Sequence, residues 1–459
     1  MVVEQVLAAF AERREAFIQE LMTFLRFPTI SAQPEHKADM RACAQWVRDQ
    51  LLQAGLKAQI METGGHPAVF ADSGPANAEA RAPTILCYGH YDVQPIGAES
   101  QWTSPAFEPV IRDGAVFARG STDDKGQVMT HLAAVQSWRV TGQPWPTRIK
   151  FLIEGEEEIG SLNLPGFVKD HRDLLACDYV VLSDTAKHDA DTPALTFSTR
   201  GLVYKQITVQ GPVKDLHSGV YGGAVANPAN VLARLIASWH DEAQRVTIPG
   251  FYDDVRPLPD EDRRSLAEMG ISDAELLAAT GSPAPSGEEG FTSAERCRAR
   301  PTLDVNALVS GYTGEGSATI IPARASAKVS MRLVADQDPA RISRAFDEAV
   351  RRWCPPTVRL EVKTQATCAP YRAPTDSAGV RVAIRALTDS YSRPPVLARE
   401  GGTLPILPLF KEVLGADSVM LGFAMPDANA HSPNEFFCLR DFEIGTRCIL
   451  LFLAGIGQI

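Results

Sequence analysis

The sequence predicts an α/β protein with two domains, in which the chain leaves the first domain, forms a second one and then returns. Two observations support this prediction. Up to about residue 193, helical segments alternate with compact apolar strands, a pattern typical of a mainly parallel sheet covered on both faces. From about 194 the pattern changes to alternating strands and amphipathic helices, and from about 395 the first pattern resumes. We therefore expect one domain from residues 1–193 and 395–459, and another from 194–394.

The elements of the first domain follow from their residue patterns. Residues 1–28 carry apolar residues at helical spacing with glutamates between them, which predicts an amphipathic helix and argues against a signal peptide. A second helix is expected after Asp123 and Asp124, whose carboxylates suit the free N–H groups of a helix start. The strands are expected at TILCYG (84–89), TRIKFLIEG (147–155), DYVVLSD (178–184) and VMLGFA (419–424). These runs contain little polar alternation, which is typical of strands buried on both faces.

The elements of the second domain occur in the order β-α-β-β-α-β. A strand at GLVYKQITVQG (201–211) precedes a helix that begins at Asn227 and Pro228, and two further strands lie within 303–334. A helix at 338–354 and a strand at 357–366 complete the order, which is the ferredoxin-like plan. Residues 247–300, rich in Pro, Gly, Asp and Glu, are expected to form an insertion into this plan.

Composition and charge narrow the function classes. The net charge of −11 argues against nucleic acid or an anionic membrane surface as the main partner. No stretch reaches the roughly 18–20 apolar residues that span a bilayer. The eight cysteines include no pair at the two-residue spacing of a zinc knuckle or redox motif, which favours free thiols in a reducing compartment. We therefore expect a cytoplasmic, soluble protein.

Residues suited to metal binding follow the strands of the first domain. His90 and Asp92 come directly after the strand at 84–89, and further acidic or histidine residues occupy four other junctions: Glu157 and Glu158, Asp184, His431 and Asp123. Ligands of open α/β sheets bind outside the carboxyl ends of the strands. If the strands are parallel neighbours, these side chains converge on one crevice. So many carboxylates in one place would repel one another unless cations neutralise them.

Two divalent ions suit this set of donors. One division gives His90 and Asp184 to one ion, Glu158 and His431 to the other, and lets Asp123 bridge the two. Zinc is the expected metal, with manganese or cobalt as alternatives, because mixed imidazole and carboxylate sites discriminate poorly among these ions. A water between the ions would become hydroxide near neutral pH.

Two carboxylates of the same crevice are expected to have roles other than metal binding. Glu157 would point inward without binding metal, take the proton of the water and later pass it to a leaving amine. In an extended segment, residues 90 and 92 lie on the same side of the chain. Asp92 can therefore accept a hydrogen bond from the ring nitrogen of His90 that does not bind metal.

The same residues lie in motifs that resemble a known family. GHYDVQP, ARGSTDDKG, EGEEEIGS, LSDT, DLHSGVYGG, REGGTLPI and AHSPNE occur in order along the chain. The chain is identified by them as a member of the M20 family of dinuclear metallopeptidases, in its carnosinase-like and cytosolic nonspecific dipeptidase branch. The resemblance implies a zinc-peptidase-like catalytic domain with five metal ligands, Asp92 beside them and Glu157 as general base. It also implies a cis bond between Asp123 and Asp124.

The resemblance further implies the task of the second domain, which is to act as a lid and to carry the contact of a homodimer. His217 matches a histidine that reaches into the neighbouring subunit's site and stabilises the transition-state oxyanion. Arg332 matches an arginine that grips the terminal carboxylate of the substrate. Thr319, Gly402 and Thr403 match further substrate contacts.

Three functions remain open at the level of the sequence. The first is a metal-dependent exopeptidase that cleaves dipeptides or short peptides. The second is an N-acyl amino acid amidohydrolase or a carboxypeptidase that uses the same metals. Ala186 bears on this choice, because relatives in the dipeptidase branch often carry an aromatic residue two positions after the metal-binding aspartate. The third function is non-catalytic binding, which the presence of Glu157 and of all five ligand positions disfavours.

Overall fold

The computed structural model describes residues 2–75, 82–269 and 272–459. The chain forms two compact units and passes from the first to the second and back twice. The first unit comprises Met1–Phe197, Ala373–Ala398 and Ile406–Ile459, and the second comprises Ser198–Arg372 and Arg399–Pro405.

The first part of the chain supplies most of the first unit. Its elements are α1 (Val2–Leu25), α2 (Lys37–Gln53), β1 (Lys57–Met61), β2 (Ala68–Asp72), β3 (Ile85–His90), β4 (Val110–Arg112), β5 (Ala115–Phe117), α3 (Lys125–Val140), β6 (Ile149–Glu154), α4 (Leu164–Asp170), α5 (Arg172–Leu175), β7 (Tyr179–Leu182) and β8 (Ala194–Thr199). Short 3₁₀ helices lie at Pro34–His36, Glu99–Gln101 and Glu157–Ile159.

The middle of the chain forms most of the second unit. The last part completes the first unit and adds Arg399–Pro405 to the second. The middle elements are β9 (Gly201–Gln210), β10 (Leu216–His217), α6 (Ser218–Tyr221), α7 (Pro228–Ala237), α8 (Asp260–Met269), α9 (Asp273–Thr280), α10 (Ser293–Arg298), β11 (Thr302–Ser310), β12 (Ile320–Ile321), β13 (Arg324–Leu333), α11 (Pro339–Trp353), β14 (Arg359–Cys368) and β15 (Tyr371–Arg372). The last elements are α12 (Ala378–Tyr391), β16 (Val396–Glu400), α13 (Ile406–Leu414), β17 (Asp417–Gly422), β18 (Phe436–Cys438) and α14 (Leu439–Ile456).

The sheet of the first unit has four parallel strands at its centre. Its order runs β1-β2-β6-β3-β7-β17-β8-β15, with β16 also pairing with β8, and the neighbours β6, β3, β7 and β17 are parallel to one another. The outer strands β1, β2 and β8 pair antiparallel. All residues of β3 and β6 are buried, as expected for strands covered on both faces. The mainly parallel sheet predicted from the sequence is thus confirmed at the centre, and its edges are antiparallel.

Helices with apolar stripes form the core of the first unit together with this sheet. Phe17 of α1, Leu132 of α3 and Phe452 of α14 are fully buried in one cluster with the strand residue Phe151. Helix α12 joins the same cluster through residues such as Leu387. Residues 373–394, which the sequence analysis assigned to the second domain, therefore belong to the first unit.

The second unit contains a four-stranded antiparallel sheet in the order β11-β13-β9-β14. Helices α7 and α11 pack on one face, where Val203, Ile207, Leu232 and Phe346 are buried together. Helix α7 begins where the sequence predicts it, because the side chain of Asn227 accepts a hydrogen bond from the N–H of Ala229. Strand order and connections confirm the ferredoxin-like plan.

The predicted insertion lies between α7 and β11 and contains α8, α9 and α10. Helices α9 and α10 each start with a capping box, formed by Ser272 with Glu275 and by Thr292 with Glu295. Residues 270 and 271 of the insertion lie outside the described residues. Across the described ranges of the chain, we find no helix with the length and apolar character needed to cross a membrane.

Candidate metal centre

The parallel strands bring the predicted ligands to one edge of the sheet. His90 is the last residue of β3 and is fully buried. Glu158 lies in the 3₁₀ helix that follows β6, and Asp184 lies two residues beyond β7. His431 lies in the loop after β17 and adopts a left-handed backbone conformation, with φ of 60°. Asp123 precedes α3, and its bond to Asp124 is cis.

These five side chains form two groups that share Asp123. The ligand atoms of His90, Asp123 and Asp184 lie within 4.8 Å of one another, and so do those of Asp123, Glu158 and His431. His90 Nε2 is 3.2 Å from Asp123 Oδ1, whereas His431 Nε2 is 2.9 Å from Asp123 Oδ2. His431 Nε2 is also 3.2 Å from Glu158 Oε2. One carboxylate thus presents a different oxygen to each histidine.

The pKa shifts of these groups reflect the crowding of negative charge in the site. Burial, followed by repulsion from Asp123 and Asp124, raises the pKa of Asp184 well above its ordinary value. Burial alone would lower the pKa of His90, but Asp123 and Asp92 raise it well above the usual range. Hydrogen bonds to Asp123 and Glu158 raise the pKa of His431 to about 10. These shifts are the ones expected where several carboxylates crowd together, and bound cations would relieve the repulsion among them.

The donor set fits a pair of divalent ions. His90 Nε2 is buried and makes no hydrogen bond within the part of the chain that the structure describes. A ring nitrogen held against carboxylate oxygens without a hydrogen bond is suited to a metal. Two imidazoles and three carboxylates are the ligands that zinc, manganese and cobalt accept.

Glu157 is adjacent to this donor set along the chain but belongs to neither group of ligands. Burial raises the pKa of its carboxyl group to about 7, with Asp123 and Glu158 adding to the effect and His90 opposing it. A carboxyl group with a pKa near the working pH can both accept and return a proton. This property suits the general-base role that the sequence predicts for Glu157.

Asp92 has a further set of contacts that the sequence analysis missed. His90 Nδ1 lies 3.1 Å from the backbone oxygen of Asp92 and 3.4 Å from its carboxylate Oδ1. The same carboxylate accepts hydrogen bonds from the backbone N–H groups of Glu157, at 3.2 Å, and Glu158, at 3.0 Å. Asp92 therefore orients the histidine and also holds the 3₁₀ turn that carries the two glutamates.

Glu435 is another residue that sequence reasoning missed. It is fully buried, and its carboxylate accepts hydrogen bonds from the N–H groups of Gly120, Thr122 and Asp123 at 2.9, 2.9 and 3.1 Å. Arg119 Nη1 donates a further bond of 2.7 Å to it. Glu435 thus sets the backbone that presents Asp123. Its position at the end of the AHSPNE motif was the available signal.

The predicted capping role of Asp124 is wrong. The residue stands at the start of α3 but its side chain makes no capping hydrogen bond. Its Oδ2 lies 3.4 Å from the backbone N of His90 instead, and burial raises the pKa of its carboxyl group well above the ordinary value. Gln94, whose Nε2 donates to Glu158 Oε2 at 2.8 Å, is a second contact that the sequence did not predict.

The predicted residues of the second unit fall into two places. His217 and Thr319 are exposed and lie around the short β10–β12 pair, with Thr319 O accepting the N–H of Ser218 at 2.9 Å. Arg332 Nη1 donates to Thr403 Oγ1 at 2.7 Å. Gly402 directly precedes Thr403 in the sequence, and its backbone oxygen accepts a hydrogen bond from the N–H of Arg200 at 3.0 Å.

Comparison with known proteins identifies the family. The sequence pattern of Peptidase family M20/M25/M40 matches residues 86–454. Cys-Gly metallodipeptidase DUG1 of Saccharomyces cerevisiae is 27% identical over 95% of this chain and 94% of its own length. Beta-Ala-His dipeptidase of Rattus norvegicus is 26% identical over 97% of this chain and 94% of its own.

A solved structure agrees with these sequence relatives. The M20 family metallo-carboxypeptidase Sso-CP2 from Sulfolobus solfataricus superposes with a TM-score of 0.87 and 32% identity, over 96% of this chain and 99% of that one. The fold class and the carnosinase-like dipeptidase branch predicted from the motifs are confirmed. Because the family pattern covers most of the sequence and the metal-binding motifs lie within it, the chain belongs to peptidase family M20/M25/M40.

Proposed function

We propose that the chain hydrolyses the peptide bond of dipeptides or other short peptides with two divalent ions, zinc being the expected metal. The observation that carries this proposal is the sharing of Asp123 between two groups of ligands. Its Oδ1 faces His90 and its Oδ2 faces His431. Asp184 completes the first group and Glu158 the second. Two ions held a few ångströms apart by a shared carboxylate are a recurrent arrangement in peptidases.

The residues of the site divide the remaining tasks of hydrolysis. When bound, the ions supply an acidified water and polarise the carbonyl group of the substrate. Glu157 accepts the proton of the attacking water and delivers it to the nitrogen of the leaving amine. Asp92 keeps His90 and the Glu157–Glu158 turn in place, as its hydrogen bonds at 3.0 and 3.2 Å indicate. Glu435 holds the backbone before Asp123.

The second unit is proposed to bind the substrate. Arg332, tied to Thr403 at 2.7 Å, would grip the terminal carboxylate through its planar fork. Gly402 and Thr319 would contribute backbone and hydroxyl contacts. His217, which is exposed, would complete the active site of a neighbouring subunit and stabilise the oxyanion.

A homodimer through the second unit accords with its exposed surface. Strand β11 is an edge strand of the antiparallel sheet. Its side chains Leu308 and Val309 are each 58% exposed, and Tyr312 follows them at 52%. An uncovered apolar edge of this kind is a suitable interface for a second copy of the same sheet. The cytoplasmic location stays a prediction.

The relatives favour a dipeptidase, and one neighbour keeps a second function open. DUG1 and the rat protein are named as dipeptidases, whereas Sso-CP2 is described as a carboxypeptidase. Ala186, half-buried and bridged to Ala424 beyond the ends of β7 and β17, leaves the amino side of the site without the aromatic residue found in many dipeptidase relatives. A carboxypeptidase acting on longer peptides, or an amidohydrolase acting on N-acyl amino acids, is therefore the second candidate.

A hydrolysis screen separates these functions. The purified protein is stripped with a chelator, reloaded with zinc, manganese or cobalt, and given unblocked dipeptides, longer peptides and N-acyl amino acids. We expect metal-dependent cleavage of the unblocked dipeptides. Cleavage of only longer peptides or only N-acyl amino acids would replace the dipeptidase proposal with the matching alternative.

The role of Glu157 is tested by the variant Glu157→Gln. We expect kcat to fall by roughly 10²–10⁴-fold, the usual contribution of a general base, while the protein still binds two metal ions. Glu12→Gln, on the exposed surface of α1, is the matched control and should retain full activity. A Glu157→Gln variant with near-normal kcat would show that the general base is another group.

A further inference from the structure

A cavity within the second unit has no role in the proposed chemistry so far. It has a volume of about 620 Å³. One wall is formed by the antiparallel sheet of the second unit, with Arg332 on β13 and Arg200 just ahead of β9. The opposite wall comes from the 247–300 insertion, which contributes Glu288, Arg296 and Arg300. The insertion therefore encloses a space against the antiparallel sheet of the second unit.

The lining of this cavity is rich in positive charge, in contrast to the chain as a whole, whose net charge is −11. Four arginines line it against two carboxylates, Glu288 and Asp304. Glu288 is already engaged, because it forms a two-pronged ion pair with Arg300 at 2.7 and 2.8 Å. The remaining cations outnumber the remaining anion, so the cavity is suited to a negatively charged group.

Among the cations of the cavity, Arg200 has a guanidinium nitrogen without a hydrogen-bond acceptor among the described residues. Its Nε donates to the backbone oxygen of Gly401 at 2.8 Å. Its Nη1 is buried and makes no hydrogen bond to any residue in the described ranges. A buried guanidinium N–H without an acceptor is unfavourable, and a carboxylate is the acceptor that best matches its geometry. Burial, and then repulsion from Arg332, lowers the pKa of Arg200, which a bound anion would reverse.

The guanidinium groups of Arg332 and Arg200 make hydrogen bonds to different partners. Arg332 is bound to Thr403 Oγ1, and that hydroxyl donates to the backbone oxygen of Arg200 at 2.7 Å. Arg200 is fixed instead by Gly401, and its Nη1 has no hydrogen-bond partner among the described residues. Arg296 approaches from the insertion, with its Nε donating to the backbone oxygen of Glu288 at 2.9 Å. The cavity thus offers cations beyond the one assigned to the terminal carboxylate.

We propose that this cavity receives the acidic side chain of a substrate whose C-terminal residue is Asp or Glu, with Arg200 as its main partner and Arg296 as its second. The proposal rests on the proposed function, in which Arg332 binds the terminal carboxylate. It gives the insertion a task, which is to close the specificity pocket. It also gives the enzyme a substrate class, namely dipeptides with an acidic C-terminal residue.

The test compares substrates that differ in one charge. The kcat/KM values are measured for Ala-Glu and Ala-Gln, and for Ala-Asp and Ala-Asn, on the metal-loaded full chain. We expect the acidic member to exceed its amide by at least tenfold in the wild type. Arg200→Gln should lower this ratio about tenfold, and Arg296→Gln should lower it a few-fold. Arg200→Lys, which keeps the charge, should restore part of the ratio.

A merely structural role for Arg200 would lower both members of a pair and leave their ratio unchanged, which would overturn the assignment. Arg359→Gln, on the exposed surface of β14, is the control and should change neither value. If Arg200→Gln does not fold, Arg296→Gln decides the question by the same ratio.

The remaining outcomes separate this inference from the function on which it rests. A wild-type ratio near one, with Ala-Gln cleaved well, would refute the acidic pocket and leave the dipeptidase proposal standing. Failure to cleave any of the four dipeptides would refute both. Free glutarate should inhibit the cleavage of Ala-Glu competitively. If glutarate changes the rate of cleavage without competing, and the kcat/KM ratio of Ala-Glu to Ala-Gln is near one, the cavity binds a free carboxylate and the proposal is wrong.

Discussion

The contacts of Asp92 lead to a quantitative prediction for the variant Asp92→Asn. The residue is fully buried, and its two carboxylate oxygens each accept one backbone N–H, from Glu157 and from Glu158. An asparagine keeps one acceptor oxygen and turns an NH₂ group toward the other N–H. One charge-assisted hydrogen bond is therefore lost, and the 3₁₀ turn that carries the glutamates is no longer held on both residues.

The size of this effect follows from the bond that is lost. Hydrogen bonds to charged groups contribute about 1.5–3 kcal/mol. If the whole of that energy serves to position Glu157 and Glu158 for reaction, kcat should fall roughly 10- to 150-fold. Metal affinity should fall as well, by about 10- to 100-fold, because Asp92 also faces His90 Nδ1.

Kinetics and metal content together test this reasoning. The metal content and kcat of Asp92→Asn are measured over a range of metal concentrations, so that kcat is read with the site saturated. Asp113→Asn is the matched control, because Asp113 is exposed in a left-handed turn that asparagine also adopts. Full recovery of kcat by excess metal would show that Asp92 acts on metal binding alone, and an undiminished kcat at ordinary metal would refute both effects.

Two further predictions concern stability and assembly. Burial lowers the pKa of His131 from 6.5 to about 3, so below pH 6.5 the unfolded chain gains a proton that the folded chain does not. From pH 7 to 5 the free energy of unfolding of the metal-free protein should fall by about 2 kcal/mol because of this group. Urea unfolding of the variant His131→Gln should not show this fall. The same dependence of the unfolding free energy on pH in both proteins would contradict the prediction. Leu308→Lys should give monomers by light scattering while Gln365→Lys on β14 stays dimeric, and a dimeric Leu308→Lys would exclude the β11 interface.

The convergence of most of the proposed ligands could be predicted because the sheet topology brings the ends of the parallel strands together. His90 ends β3, and Glu158 and Asp184 come just after its parallel neighbours β6 and β7, so the three residues lie at the same edge of the sheet. His431 follows β17, which is parallel to β7 in the same sheet. Apolar runs without polar alternation were enough to indicate these strands.

The domain to which helix α12 belongs could not be predicted in the same way. Its apolar stripe shows that the helix is buried on one side, and residues such as Val382 and Leu387 are buried. A stripe does not show which partner covers it. The helix packs in the core of the first unit together with α14, far along the sequence, and no local pattern reports that contact.

The supporting contacts of the site were missed because they depend on loop backbone. Glu435 accepts hydrogen bonds from the N–H groups of Gly120, Thr122 and Asp123, an arrangement that requires the conformation of residues 120–123 to be known beforehand. Asp124 has the residue type and position of a helix cap, yet its carboxylate faces the backbone N of His90. Residue type predicts a local partner only where no partner from elsewhere in the chain competes for the same group.

Arg200 is also a residue whose contacts depend on distant parts of the chain, and the sequence motifs do not reveal them. The motifs assign carboxylate binding to Arg332 and Thr403, whereas Arg200 lies in a short link between β8 and β9 and would pass for a turn residue. Only the structure shows that it shares a cavity with Arg332 and that its buried Nη1 makes no hydrogen bond to the described residues. The family can therefore supply the reaction, while the choice among dipeptides depends on groups such as Arg200 and Arg296, one in a link and one in an insertion. A preference for acidic C-terminal residues that disappears when Arg200 loses its charge is the result that this distinction requires.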